Sequence, residues 1–332
     1  MFHLYSRGNV RIGCLFIKIQ ILKLNINTRM ETKLKKIIRI FTNPIWALSI
    51  FVVRYPHLIK DDETYLKWCF YHRMHQWPDL KNPQTFNEKL NWLKLHHKNP
   101  FYTQLVDKYA VKEWIEQQNI GVELIPTLGV WDRFDDIDFD KLPNQFVLKC
   151  THNSGGLVIC KNKKELNKHK AKVKIEKSLR QNYFYSGREY PYKHVKPRII
   201  AEQYMVDESG TELKDYKFFC FNGVPKFFKI DFGRFISHHA NYYSIDGKLL
   251  PFGEAKLPPL PDKQLPLPKS LPQMINIAQK LAQGIPFVRV DLYEINGKVY
   301  FGEITFYPAS GTGKFTPPEW DAKIGQMLTL HN

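Results

Sequence analysis

Residues 287–311 read FVRVDLYEINGKVYFGEITFYPASG, two apolar-rich runs on either side of Asn296-Gly297. Asn-Gly between such runs signals a β-hairpin, because both residues tolerate the left-handed backbone of a tight turn. Side chains alternate faces along a strand, so register decides which residues meet. A two-residue turn pairs Glu303 with Val290 and Asp291 with Gly302, placing the two acids on opposite faces. A three-residue loop from Ile295 to Gly297, with Gly297 left-handed in a G1 bulge, pairs Asp291 with Phe301 and Arg289 with Glu303. Arg289, Asp291, Glu303 and Thr305 then share one face. Val288, Val290, Leu292, Tyr300, Ile304 and Phe306 share the other, with Gly302 among them. This second register sorts polar from apolar, so the hydrophobic pattern selects it. Magnesium takes one or two carboxylates from a protein and completes its shell with phosphate oxygens and water, which makes Asp291 and Glu303 candidate ligands. A solvated hairpin face carrying an Arg289–Glu303 pair fits the same spacing.

Working upstream, Ser270-Leu-Pro-Gln273 has the form of a capping box. It opens a helix with Met274, Ile277, Ala278 and Leu281 on one face and Gly284 as its stop. Strand-like runs occupy residues 145–150, 157–160, 198–205, 214–221 and 226–232, the last two joined by Asn222-Gly223. A helix over 163–182 separates the second run from the third. Thr85-Phe-Asn-Glu88 is a further capping box, opening a helix to His97. Another helix is expected over 102–118, with Leu105, Val106, Tyr109 and Trp114, and Gly121 marks its exit. The pattern is α+β, with antiparallel sheets covered by helices.

The chain has 332 residues, 43% hydrophobic and 14% aromatic, enough for two or three lobes with their own cores. Five cysteines, odd in number and never spaced as CxxC, fit a reducing cytoplasm better than disulfides or a zinc site. The formal charge of +17 is uneven: residues 1–60 hold eleven basic residues against one acid, Glu31. A charge set by one terminus speaks against a nucleic-acid groove through the main domain, and no RNP, KH or zinc-finger phrase occurs. The organisation expected is a basic segment 1–60, a helical region 61–135 and the catalytic lobes 136–330. Residues 12–24 are too short and, with Lys18 and Lys23, too charged to span a membrane. Met30 is an alternative start, which would make 1–29 an over-extension. Residues 33–55 mix Leu34, Ile37, Ile38, Phe41, Ile45, Trp46 and Phe51 with a basic cluster, and Pro44 interrupts any single helix. Such a stretch suits an anionic inner membrane face, where each Lys or Arg near the surface contributes roughly 1 kcal/mol. The other reading is a helix packed on the domain with its basic face in water.

Four phrases, in order, resemble the ATP-grasp superfamily, which includes D-alanine–D-alanine ligase. Arg289-Val-Asp291 followed by Glu303-Ile-Thr305-Phe-Tyr-Pro308-Ala-Ser-Gly311 resembles its closing motif. Asp107-Lys108, with Lys112 and Ile125-Pro126 after it, resembles the segment of the first phosphate-binding lysine. Phe146-Val-Leu-Lys149 and Ser154-Gly155-Gly156 resemble the second lysine and the glycine-rich phosphate flap. Ile200-Ala-Glu202-Gln-Tyr-Met205 resembles the hinge strand that meets adenine, and Asp207 or Glu208 lies where a ribose contact is often found. More narrowly, Asp215-Tyr-Lys217-Phe-Phe-Cys-Phe-Asn222-Gly223 and Phe301-Gly-Glu303-Ile-Thr-Phe-Tyr-Pro308 look like the TupA-like branch, over roughly residues 65–330.

The resemblance implies an ATP-grasp fold, two α+β lobes clamping ATP behind a helical N-terminal region. It implies Asp291, Glu303 and Thr305 on Mg²⁺, and Arg289 facing the reacting carboxyl. Lys108, Lys149, Ser154, Gly155, Gly156, Glu202 and Met205 would bind ATP, with Lys217 and Arg234 as further phosphate contacts. Thr305 departs from the usual Asn and is a weaker oxygen donor, which puts the second ion in doubt. The implied reaction is amide formation through an acylphosphate, in cell-surface polysaccharide or teichuronopeptide-type assembly. Its substrates would be a small or lipid-linked sugar carboxylate and an amine, and the enzyme would work in the cytoplasm or against the inner membrane face. The competing reading is a metal-dependent glycosyltransferase of the same pathway, hung on Asp136-Ile-Asp138-Phe-Asp140, since a DxD can bridge a cation to a sugar nucleotide.

Overall fold

The computed structural model describes residues 42–331 except 209, 211–212, 234–236 and 264. The expectations for residues 12–24, the Met30 start and Arg234 lie outside the described residues, as does the first part of the 33–55 stretch. The chain divides into two units, Met1–Leu58 and Ile59–Asn332. In the first, α1 (Pro44–Arg54) begins at Pro44, with the Asn43 side chain accepting from the Trp46 amide at 2.9 Å. Proline costs no hydrogen bond at a first helical position, so a new helix starts at Pro44 and no single helix runs through it. No helix among the described residues is long and apolar enough to cross a membrane.

The second unit opens with α2 (Asp62–Met74), α3 (Phe86–His96), α4 (Tyr102–Val106) and α5 (Ala110–Gln118). Then follow β1 (Glu123–Leu124), β2 (Thr127–Trp131), β3 (Phe146–Cys150), β4 (Leu157–Cys160), α6 (Lys168–Leu179), α7 (Phe184–Gly187) and β5 (Ile199–Gln203). The chain continues through β6 (Asp215–Phe221), β7 (Val224–Phe232), β8 (His239–Ser244), β9 (Gly253–Glu254) and α8 (Leu271–Ala282). It ends with β10 (Phe287–Ile295), β11 (Lys298–Thr305), β12 (Phe315–Thr316) and α9 (Trp320–Gly325). One sheet runs β1-β11-β10-β6-β7-β8, a second β2-β5-β3-β4, and β12 pairs with β9. Strands β1 and β2 fall inside the stretch read as helical and join one sheet each, so residues 61–135 are continuous with both lobes.

Each large sheet has its own core. Phe86, Phe219, Phe221, Phe227 and Phe287 pack against the six-stranded sheet, with Phe219 and Phe227 stacked at 4.7 Å. Phe146, Leu148, Ile175 and Ile199 centre the other. Each fully buried ring contributes roughly 1.5–3 kcal/mol. The Thr85 capping box forms in both directions and fixes the start of α3.

The last hairpin reaches its register by a route other than the expected one. Ile295 pairs with Lys298, so Asn296-Gly297 is a two-residue turn with φ of 51° and 74°. The shift comes inside the strands: Asp291 faces Glu303 and Leu292 faces Phe301, leaving Gly302 as a bulge. One extra residue flips the parity of everything beyond it. Arg289, Asp291, Glu303 and Thr305 therefore do share a face. Phe301 and Val299 turn to the core, while Tyr300 pairs with Tyr293 on the side of the acids. A Cβ on Gly302 would lie 2.8 Å from the Asp291 carbonyl oxygen and 3.0 Å from the Tyr293 ring. Backbone cannot yield there. Gly302→Ala is expected to cost about 1–3 kcal/mol in urea denaturation by overpacking the bulge. An unchanged midpoint would contradict this register.

Two helices also differ from expectation. Residues 102–118 form α4 and α5, broken at Asp107, whose ψ is 112°. Its carboxylate accepts from Arg198 at 2.7 Å and from the Tyr109 amide at 2.9 Å, a long-range contact that no local signal announces. Ser270 makes no side-chain cap on α8. Its amide donates to Glu294 at 2.7 Å and its hydroxyl to the Gly297 carbonyl at 3.2 Å, which ties the helix start to the hairpin turn.

Candidate active site

Strand β3 buries Phe146, Leu148 and Cys150 in its own lobe and turns Val147 and Lys149 outward. They line a cleft of about 160 Å³ together with Ile125, Leu157, Ile159, Glu202, Met205 and Tyr293. An apolar slot with a few polar groups at one end is the usual form of a small-molecule site. Glu202 is held from both sides, by Lys112 at 2.5 Å and Lys149 at 2.6 Å. Burial alone would raise its carboxyl pKa, but the charges of Lys149 and Lys112 outweigh that and lower it. Lys112, noted in the sequence only as part of the Lys108 segment, thus completes an ion triad at the cleft.

The break between α4 and α5 leaves Lys108 half-buried, its ammonium donating to the Asn153 carbonyl at 2.8 Å. Burial lowers its pKa and the charge of the neighbouring Lys149 lowers it further, while the charge of Glu303 is the largest opposing influence. Lys108 therefore stands between the flap of one lobe and the acids of the other.

Asn153, which the sequence did not single out, organises the flap. Its side-chain oxygen accepts from the Gly155 amide at 3.0 Å, the Gly156 amide at 3.3 Å and the Ser178 hydroxyl at 2.9 Å. A Cβ on Gly156 would run into the Cys150 sulfur and lie 2.8 Å from the Ser178 hydroxyl, so only glycine lets the loop settle on α6. The amides of Gly155 and Gly156 are already engaged, and a phosphate takes them only by exchange with the Asn153 oxygen.

Across the cleft, Arg289 binds Asp291 in a fork, Nε to Oδ1 at 2.6 Å and Nη2 to Oδ2 at 2.7 Å. The same Nη2 reaches Glu303 and Thr305, each at 3.1 Å. Burial would lower the Arg289 pKa, but Asp291 and then Glu303 hold it above its ordinary value. Burial would likewise raise Asp291, which Arg289 and Lys217 keep low. Lys217, expected on phosphate, instead donates to Asp291 at 2.7 Å and lies 3.4 Å from Asp215. Farther along the same sheet face, Lys229 meets Glu254 at 3.0 Å, and the Tyr242 hydroxyl donates to Glu254 at 2.5 Å. None of these three was singled out from the sequence.

The donor chemistry fits a hard divalent cation: two carboxylates directly opposed on neighbouring strands, with a hydroxyl beside them. The protein shell is incomplete, since no group of three or more His, Cys, Asp or Glu among the described residues is arranged to hold an ion. Phosphate oxygens and water would have to fill the remaining places.

Behind Glu303 lies a buried polar cluster from α3. Lys94 donates to the Ser310 carbonyl at 2.9 Å and to its hydroxyl at 3.0 Å, with Asn91 at 3.4 Å and the Tyr307 ring beneath. These bonds hold Ala309 and Ser310, both left-handed at φ 49° and 54°, just past the end of β11. Burial pushes Lys94 down to about 8, partly opposed by Glu189. The folded value lies below the unfolded one, so above pH 8 the unfolded chain binds the proton that the folded chain has shed. Stability from this group therefore rises with pH from about 8 toward the ordinary lysine value. Denaturation of wild type and Lys94→Met across that range is expected to show a steeper rise in wild type than in the variant.

The aspartates of the DxD phrase sit elsewhere. Asp136, Asp138 and Asp140 are exposed, with Asp136 2.8 Å from Arg133 and Asp138 3.4 Å from Lys141.

The profile described as TupA-like ATPgrasp matches residues 88–329. Among solved structures, the chain is similar to D-alanine–D-alanine ligase from Bacillus anthracis complexed with ATP. The identity is 16% over 61% of this chain and 54% of that one, with a TM-score of 0.36, so the chain spans about half that ligase's length. The Helicobacter pylori D-alanine–D-alanine ligase gives 15% identity over 74% of this chain and 69% of that one, TM-score 0.39. A RimK-domain ATP-grasp protein from Sphaerobacter thermophilus gives 10% over 68% and 69%, TM-score 0.36. No curated protein matches.

Proposed function

The chain belongs to the TupA-like ATP-grasp family, and on that footing we propose that it is an ATP-dependent ligase joining a carboxylate to an amine. The observation that carries this reading is the position of Lys108, bonded to the flap residue Asn153 and acted on most strongly by the charge of Glu303. The charges of Lys149, which lines the apolar cleft, and of Glu303, opposite Asp291, both act on Lys108.

The adenine would lie in the apolar slot against Leu157 and Ile159, with Met205 at the hinge. Lys149 and Lys108 then stand toward the phosphates. Asp291 and Glu303, with Thr305 beside them, would hold Mg²⁺, which supplies charge neutralisation between the two anions that must meet. The substrate carboxylate attacks the γ-phosphorus, the bond to ADP breaks, and an acylphosphate results. The amine then adds to its carbonyl carbon and phosphate leaves. Arg289, already aimed by its three oxygen partners, donates to the oxyanion that forms in that addition. The flap, released from Asn153 onto the phosphates, keeps water from the acylphosphate.

Within this reading the acid is a sugar carboxylate, free or lipid-linked, and the product belongs to a cell-surface polysaccharide made from the cytoplasmic side. That part is supported by the family alone. With ATP, magnesium, glucuronate as probe and hydroxylamine as the amine, a hydroxamate is expected to accumulate in step with ADP. If a carboxylate from a panel of hexuronates stimulates ADP release yet no hydroxamate forms, the acylphosphate route is wrong.

A further inference from the structure

We infer that the exposed face of α1 docks on an anionic lipid surface. Ile45, Leu48, Phe51 and Tyr55 recur every three or four residues along α1 and its C-cap, each 48–49% exposed, and Leu58 beyond them is 62% exposed. The Phe51 and Tyr55 rings touch, their centroids 4.9 Å apart. The side chains that α1 does bury are Trp46, Ser49 and Val52, so this stripe is not its packing face. Single exposed apolar residues are ordinary, but five within residues 45–58, two of them in ring contact, mark an interaction surface.

Charge selects the occupant. Residues 32–60 contain no Asp or Glu, whereas Lys33, Lys35, Lys36, Arg39, Arg54 and Lys60 all fall within them. A two-fold pairing of two copies through this face would bring like charges together with no acid to offset them. An anionic bilayer offers both an apolar boundary for the stripe and negative headgroups for its flanks. The helix has eleven residues, well short of the roughly 20 that a spanning helix needs. It therefore lies in the plane of the interface, with Phe51 and Leu48 entering the headgroup boundary and Arg54 at the helix end toward phosphate. This placement does not depend on the ligase reading.

The test is flotation of the full chain with vesicles of phosphatidylcholine alone or of equimolar phosphatidylcholine and phosphatidylglycerol. Wild type is expected to float with the anionic vesicles only, and less well as salt is raised. Leu48→Asp with Phe51→Asp is expected to reduce that binding about tenfold or more, and Arg54→Gln with Lys60→Gln to weaken it separately. Unaltered thermal unfolding of the variants shows that the fold is kept. Equal flotation of wild type and the Asp variant, or equal binding to neutral vesicles, overturns the proposal. So does a concentration-dependent dimer in light scattering that the Asp variant abolishes while vesicles bind neither protein.

Discussion

Asp291→Asn is expected to lower turnover on the order of a thousandfold, as loss of one strong electrostatic contact to the reacting centre does, and also to weaken the fold. The two effects have different origins. Asp291 is 1% exposed and its oxygens take Arg289 and Lys217. Neutralising it leaves two cations buried without their shared partner, which costs roughly 3–5 kcal/mol in comparable buried pairs. The chemical loss comes from the metal, which would keep Glu303 as its one charged protein ligand. Adding Lys217→Met separates them. The double variant removes one of the two cations that lost Asp291, although it also ends the Lys217 contact with Asp215, so urea denaturation is expected to recover part of the stability while turnover stays low. Recovery of turnover together with stability would mean that Asp291 serves the fold alone.

The second large effect is expected at Asn153. Asn153→Ala removes five hydrogen bonds in one step, two to flap amides, two to Ser178 and one to His152, at a residue 3% exposed. The loss in stability is expected to be about 2–3 kcal/mol. The KM for ATP is expected to rise about tenfold or more, because the loop must be ordered again on each binding event. Asn153→Asp divides the roles. It restores an acceptor for the Gly155 and Gly156 amides but sets a carboxylate oxygen against the Ser178 carbonyl that the Asn153 amide meets at 3.1 Å, so stability recovers only in part. Its charge also opposes the incoming phosphates, so its KM for ATP is expected to stay high. If both variants kept the wild-type KM, the flap would not be the phosphate loop.

How much of this was legible in the sequence depends on how local each cause is. The hairpins were, because Asn222-Gly223 and Asn296-Gly297 carry their turn geometry in two adjacent residues. So was the α3 start, fixed by Thr85 and Glu88 within one turn. The meeting of Arg289, Asp291, Glu303 and Thr305 was legible from the alternation of apolar residues. Its device was not, because a bulge at Gly302 and a three-residue loop give the same polar face near the acids. What separates them is the approach of the Asp291 carbonyl to Gly302, a contact between strands.

The split of residues 102–118 was likewise hidden. No Pro or Gly marks Asp107, whose partner Arg198 lies 91 residues away in the chain. Asn153 looked like an ordinary loop residue until Ser178, 25 residues on, came within 2.9 Å of it. Lys217 could be read as a phosphate contact because nothing local reveals that β6 sets it against Asp291. Sequence reasoning placed Arg289, Asp291, Glu303 and Thr305 on one face and missed which residues hold one another.

The most direct test of the ligase account is calorimetry of wild type and Asp291→Asn, with ATP in the presence and absence of magnesium and with UDP-glucuronate in the presence of manganese. The account predicts magnesium-dependent ATP binding by wild type, loss of that dependence in Asp291→Asn, and no sugar-nucleotide binding by either. Sugar-nucleotide binding indifferent to Asp291, with no heat from ATP, would contradict it.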